Sequence, residues 1–433
     1  MENNTAFICR LSNIKPIEGA DRIVSAGVNL HGAEITRVVV GADTKENTPI
    51  VYFDSNLCIS QFAIEAIDKL SPDYGKEGFN SLGNYLGKNN RVRCIKLKGS
   101  YSNGLAVELD KFKKAFPSIS EEEGFSFTEI DGKTICQKYV APIKVQSQGN
   151  GNKKRKGKAI EVPPERFPEH LDTQQYLKNS HNIHPEDIIQ ISSKWHGTSA
   201  RTGNVYIPKK LNFFEKILSK VVPLRAGEYK YVHGSRRVIK FVEDTTLSKK
   251  NHFYNYDLWT DAGNKYFKGK LAKGETVYYE IVGWLPDGKP IQQIKKYVYN
   301  YGALPNTYKI VVYRITITSE EGYTLEYSTQ QVASRCKELG VDSVKQLYYG
   351  EAKNLFNILV DENWNNNFTE KLKEVFLEKN AEDCIYKETP DEGIVVRKET
   401  FNCEVYKLKS MRFLNAESLS YDEGTTMDTE DNN

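Results

Sequence analysis

The stretch from Gln146 to Lys158 constrains this chain more than any other. It is rich in Gly and Asn, then basic, and has no apolar periodicity, so it offers no face to a core. A chain of 433 residues broken there is expected to fold as separate units. The reading is a unit over 1–145, a basic flexible linker over 146–160 and a larger unit over 161–414. Residues 415–433 are acidic and poor in large apolar groups, and are expected to be a disordered tail. The basic run Lys153 to Lys158 reads as solvated linker, with phosphate contact or a nuclear import signal as the alternatives.

The first unit is strand-rich. Ala6–Leu11, Arg37–Gly41, Pro49–Phe53, Arg91–Leu97 and Gly104–Leu109 are apolar or alternating over strand lengths. One helix is expected at Ile59–Ile67. Short strands with a single helix suggest a small closed barrel of OB type. The second unit mixes strands at 188–194, 277–282, 310–318, 393–397 and 404–409 with helices at 328–339, 343–348 and 368–379. The fold class is α+β.

Lys194 closes an apolar strand ahead of Trp-His-Gly-Thr-Ser. Lysine is a nucleophile only when neutral, and burial or nearby cations favour that state. Glu280 is a lone carboxylate in the apolar strand Val277–Val282, where it needs a hydroxyl, a cation or a metal. Tyr313 could stack on a base or belong to a core. Glu392 enters a strand after a turn and suits magnesium, an oxygen-preferring ion. Lys407 and Lys409, two residues apart, share one strand face and invite an anion between them. Together these groups are what phosphoryl or nucleotidyl transfer to lysine requires.

The ordered series Lys194-Trp-His-Gly, Tyr279-Glu-Ile-Val-Gly, Val312-Tyr-Arg-Ile, Glu392-Gly-Ile-Val-Val-Arg and Lys407-Leu-Lys resembles the covalent nucleotidyltransferase superfamily of polynucleotide ligases and capping guanylyltransferases. His196 followed by Gly-Thr-Ser looks more like the RNA ligases. Only 24 residues follow Lys409, too few for a C-terminal OB domain. The OB-like unit stands at the N-terminus, as in the fifth family of ATP-dependent RNA ligases. Ile14–Ile23 and Arg91–Leu105 resemble that family's opening module. The implied fold is an N-terminal OB-type β-barrel followed by a nucleotidyltransferase domain of ATP-grasp-like antiparallel sheets plus helices.

The resemblance implies an ATP-dependent RNA ligase that joins 3′-OH and 5′-phosphate ends through lysyl-AMP and RNA-adenylate. It implies catalytic roles for Lys194, His196, Glu392, Lys407 and Lys409. It implies ATP contacts from Lys194, Gly197, Thr198, Ser199, Arg236 (with Arg237 a rival), Glu280, Tyr313, Lys407 and Lys409. Glu280 and Glu392 would hold magnesium, with manganese as an alternative. Arg91, Lys96 and Lys98 would grip RNA. RNA–DNA hybrids are a second substrate class. DNA ligase, guanylyltransferase or an inactive RNA-binding relative are the rival functions. Ser193 stands where close RNA-ligase relatives often carry glutamate, so the residue that reads adenine is open. The long spacing from Lys194 to Glu280 suggests an insertion starting near Pro208.

Other features exclude more than they assign. Net charge is only +3, so any nucleic-acid surface must be local. The 7 cysteines form no Cys-x-x-Cys pair, which points away from a disulfide framework or zinc ribbon and toward a cytoplasmic setting. No apolar run is long enough for a membrane span. The chain is read as a monomer, and a viral or phage source would suit the resemblance. His181 and His184 have metal-ligand spacing without Cys or His neighbours and read as a surface loop. His170 reads as a nucleotide or RNA contact, or as a turn residue.

Overall fold

The computed structural model describes residues 4–140, 162–171, 173–209, 227–244, 254 and 256–423. The linker expected at 146–160 lies outside the described residues, as does the insertion expected near Pro208 from residue 210 on.

The N-terminal unit is built on β1 (Ala6–Ile17), β2 (Ala20–Leu30), β3 (Ala33–Gly41) and β4 (Pro49–Phe53). A hairpin of β5 (Cys94–Leu97) and β6 (Ser100–Asn103) leads into β7 (Leu105–Glu108), and β8 (Ser126–Phe127) follows. The strand order is β3-β2-β1-β4-β7, with β8 paired to β1. Side chains of β1 alternate between two cores, as the two-residue period of a strand demands. Ala6 and Ile8 pack with Val51, Phe53 and the helices α1 (Gln61–Asp68) and α2 (Leu109–Ala115). Phe7, Cys9 and Leu11 pack with Val28, Val38 and Tyr52. Ser60 caps α1 by accepting from the Ala63 amide.

The closed barrel expected here is not formed among the described residues. The ladder runs openly from β3 to β7. Where closure would occur, β6 meets β3 through side chains instead. The Val39 amide donates to Ser102 Oγ at 3.0 Å, and Asn103 Nδ2 donates to Thr36 Oγ1 at 3.2 Å. A strand amide given to a hydroxyl is not available to a ladder.

The C-terminal unit holds two sheets. One has the order β9-β20-β19-β10-β18, from β9 (Gln174–Gln175), β10 (Ile188–Lys194), β18 (Gln346–Glu351), β19 (Gly393–Lys398) and β20 (Glu404–Lys409). The other has the order β13-β12-β11-β14-β15-β16, from β11 (Thr198–Pro208), β12 (Gly227–Ser235), β13 (Ile239–Val242), β14 (Glu275–Gly283), β15 (Tyr308–Thr318) and β16 (Thr324–Glu326). A short β17 (Asp342–Ser343) runs parallel to β15. Every residue of β14 is buried, as a central strand covered on both faces requires. The helices α3 (Tyr176–Asn179), α4 (Leu258–Phe267), α5 (Thr329–Leu339) and α6 (Trp364–Phe376) complete the unit up to residue 376. A capping box of Ser328 and Gln331 starts α5, and Gly340 in the left-handed region ends it.

Two sequence expectations fail here. Ser343–Tyr348 is not a helix: Gln346–Glu351 is the edge strand β18, whose Tyr348 pairs with Ile191 of β10. Six residues are too few for a helix to hold against a sheet edge that offers a ladder. The tail expected to be disordered from 415 begins instead inside α7 (Met411–Glu423), while residues beyond 423 lie outside the described part. Phe413 and Ala416 are buried, and Ser418 Oγ accepts from the Cys94 amide at 2.9 Å. The partners that order α7 come from the N-terminal unit, more than 300 residues away in sequence.

The clasp on α7 also corrects Arg91, which was expected to grip RNA. Its side chain is 2% exposed and donates to Ser418 O at 2.6 Å and Asp422 Oδ1 at 2.9 Å, between the rings of Tyr139 and Tyr421. Lys96 and Lys98, by contrast, are exposed on the β5–β6 hairpin, which packs against α7. A second tie joins the units: buried Lys178 of α3 meets Asp54 at 3.0 Å. Burial works against the Asp54 charge most strongly, yet the Lys178 ammonium holds its carboxyl below the ordinary range. No helix among the described residues is long and apolar enough to cross a membrane.

Two outcomes follow from this packing. Arg91→Met leaves Asp422 and the Ser418 carbonyl without their donor, and is expected to cost about 3 kcal/mol. A urea melt that shows no fall in midpoint would show that the clasp carries no stability. His233, fully buried between Thr202 Oγ1 at 3.1 Å and Asn264 Oδ1 at 3.3 Å, is pushed down from 6.5 to about 4 by burial. Unfolded chains take up this proton below pH 6.5, whereas the folded chain resists until about 4. Its contribution is therefore complete above pH 6.5, and about 3 kcal/mol is lost as pH falls through that window. The measurement is the urea midpoint at pH 7 and pH 5 for the native chain and for His233→Gln, whose pH slope should be shallower.

Candidate nucleotide-binding site

The register of three strands builds the centre of the site. Lys194, the last residue of β10, stands opposite Gly393 of β19, which stands opposite Lys409 of β20. Two lysines thus flank a glycine. Glu392, just before that glycine, is 0% exposed and meets Lys194 Nζ at 2.9 Å and Lys409 Nζ at 3.1 Å through one oxygen. Glu417 of α7 adds a second carboxylate to Lys409 at 3.5 Å. A buried carboxylate without such partners would be strongly disfavoured. Burial, reinforced by neighbouring Glu392, pushes the Asp391 carboxyl up to about 7. Gly393 has φ +135°, and a Cβ there would lie 2.1 Å from the Leu408 carbonyl oxygen, so only glycine lets β19 and β20 approach this closely.

The two sheets enclose a cavity of about 190 Å³. Lys194, Ser199, Arg236, Glu280, Tyr313 and Lys407 all line it. These residues come from five strands and one turn, and the sequence reading chose each of them. Glu280 is 7% exposed and accepts from Ser199 Oγ at 3.1 Å, its register partner across β11 and β14. Tyr313 Oη bonds His170 Nδ1, and the His170 ring stands edge-on to Tyr278. His170 also lines the cavity. Arg236 lines the cavity and Arg237 is exposed outside it.

Other selected residues stand apart from the cavity lining. Gly197 supports the site through close approach: a Cβ there would lie 2.5 Å from the Ile281 carbonyl and 2.7 Å from Glu280 Cγ. Thr198 is buried and is not a lining residue. His196 lies behind Glu392, with Nδ1 at 3.9 Å from its second oxygen, and its ring stands edge-on to Tyr299 and Phe413. Glu392 and Lys409 reach the cavity through Lys194 rather than by lining it. His184 pairs with Asp187 at 3.3 Å, and no group of three or more metal-type ligands occurs among the described residues. Glu280 and Glu392 supply hard oxygen donors of the type magnesium or manganese takes, each of which usually completes its shell with water and phosphate oxygens.

Sequence reasoning missed part of the lining. Gln190 and Ser192 share the Lys194 face of β10, while Ile189 and Ile191 turn to the opposite core. Arg314 on one sheet and Arg397 on the other share Glu326, at 2.8 and 3.1 Å, and all three line the cavity. The alternation Gln-Ile-Ser-Ser-Lys over 190–194 carried a signal for the first pair. Nothing local marked the Arg–Glu–Arg group, whose members come from three strands.

No protein-family model matches this chain, and no curated protein matches it. Solved structures of a Naegleria gruberi RNA ligase do. A variant of that ligase with ATP and manganese aligns with a TM-score of 0.57 and 18% identity, covering 94% of this chain and 98% of the other. A variant with AMP and manganese gives a TM-score of 0.58 at 17% identity, over 95% of this chain and 98% of the other. The ligase with pyrophosphate gives 0.57 at 17%, with coverage of 95% and 98%. This chain therefore has the fold of that RNA ligase over nearly its whole length.

Proposed function

We propose that this chain is an ATP-dependent RNA ligase of the covalent nucleotidyltransferase type, with the N-terminal placement of its RNA-gripping unit seen in the fifth family. The observation that carries the proposal is Lys194 Nζ, poised at the wall of a cavity lined by Arg236, Glu280, Tyr313 and Lys407 and joined to Lys409 by one buried carboxylate. Two of the structural neighbours named above were solved with the nucleotides ATP and AMP and the third with pyrophosphate, which supports this reading.

In this reading the Lys194 amine attacks the α-phosphorus of ATP, a P–N bond forms and pyrophosphate leaves. The resulting lysyl-AMP passes its adenylate to an RNA 5′-phosphate, and an RNA 3′-hydroxyl then displaces AMP. Lys407 and Lys409 stabilise the charge that grows on the α-phosphate. Tyr313 stacks on the base, Arg236 contacts ribose or phosphate, and Glu280 accepts from a ribose hydroxyl with Ser199 holding it in place. Glu280 and Glu392 would hold magnesium or manganese. An ion drawn to Glu392 would compete with the two ammonium groups there and favour the neutral, nucleophilic form of Lys194. His196, set behind Glu392, serves a later step. Lys96 and Lys98 on the β5–β6 hairpin contact the RNA backbone, whereas Arg91 holds α7.

The decisive measurement is transfer of label from α-labelled ATP, with magnesium, to the protein. Acid-labile, alkali-stable label is expected on the native chain and none on Lys194→Ala. Lys407→Ala is expected to slow labelling on the order of 100-fold. Equal labelling of native chain and Lys194→Ala would refute the proposal. For the RNA surface, replacing Lys96 and Lys98 with Ala should weaken binding to a nicked RNA duplex. It should also flatten the plot of log K against log salt by about 2. An unchanged salt slope would take the hairpin off the RNA path.

A further inference from the structure

Gln190 stands four residues before Lys194 on the same face of β10, about 13 Å away along the strand. It is 4% exposed and lines the cavity. Its amide is open to the cavity and is not one of the buried polar atoms left without a partner. Arg397, its register partner, shares Glu326 with Arg314. Ser192, halfway to Lys194 and 3% exposed, also lines the cavity. An amide that opens into the cavity offers one donor and one acceptor to a ligand that fills it.

We infer that Gln190 reads the base of the nucleotide, selecting adenine through a paired hydrogen bond. This rests on the ligase reading only for which phosphorus faces Lys194. A nucleotide with its α-phosphate at Lys194 extends along the β10 face toward Gln190, passing between Tyr313 on one sheet and Val395 on the other, both cavity residues. A carboxamide offers one acceptor beside one donor. Adenine presents the matching pair on its N6/N7 edge: the N6 amino group donates to Gln190 Oε1, and N7 accepts from Nε2. The N7/O6 edge of guanine presents two acceptors and leaves the amide oxygen unmatched. Ser193 has only a hydroxyl at the position next to Lys194, so discrimination there falls to a longer side chain.

The test is equilibrium binding by calorimetry, which needs no covalent chemistry. Full-length protein is titrated with ATP, GTP and purine riboside triphosphate, which lacks the N6 amino group. The native chain is expected to prefer ATP over the other two by roughly 10- to 100-fold, the range for one good paired contact. Gln190→Met keeps the length and packing of the side chain but loses the amide. It is expected to erase most of that preference by weakening ATP, while binding of purine riboside triphosphate stays near native. Gln190→Glu, which keeps the acceptor and loses the donor, should fall between them. If Gln190→Met weakens all three nucleotides alike, the residue is a packing element and the inference is overturned. The same holds if the native chain binds ATP and GTP equally. Label transfer reports separately on the ligase reading: intact ATP preference without Lys194-dependent label would overturn that reading and leave base selection standing.

Discussion

One buried carboxylate organises the centre of this protein. Glu392 has no exposure to water and meets the ammonium groups of Lys194 and Lys409 through a single oxygen. A charge so placed is tolerated only with partners, and removing both lysines would leave it uncompensated. The three-strand register, the glycine that lets β19 and β20 approach, and the helix that follows Lys409 all serve this arrangement. It brings Lys194 at the end of one strand to one point with Gly393 and Lys409 at the ends of two others far later in the chain.

The N-terminal unit matters to that point through α7. The helix begins two residues after Lys409, places Glu417 against Lys409 and Phe413 against His196, and ends in the grip of Arg91. A perturbation at Arg91 therefore has a short path of packed groups to Lys409 and Lys194. The Lys178–Asp54 pair ties the units at a second place. Two such contacts make the relative placement of the hairpin lysines and the cavity a property of the packed interface.

Much of the site was legible because its chemistry is tied to strand periodicity. Lys407 and Lys409 two apart, Glu280 alone in an apolar run and Tyr313 inside another can each be read from side-chain alternation. The same alternation held Gln190 and Ser192, but neutral polar side chains in a strand look like solvent-facing positions until the opposing sheet is known. Arg91 misled for the same reason: a cation in a short strand-like segment reads as surface, and only α7 closing over it makes it internal. The open N-terminal sheet was hidden because closure depends on whether β3 gives its amides to a strand or to a hydroxyl.

The sequence by itself determined the α+β character, most strands, the lysine that ends β10 and the carboxylates and cations expected to surround it. Those follow from local periodicity and from the cost of burying isolated charge. Tertiary structure alone decided which carboxylate holds the two lysines, that Arg236 rather than Arg237 faces the cavity, that residues 415–423 are helical, and that Gln190 turns its amide into an enclosed space. These depend on strand register and on contacts between segments hundreds of residues apart, and such contacts leave no periodic trace in any one segment.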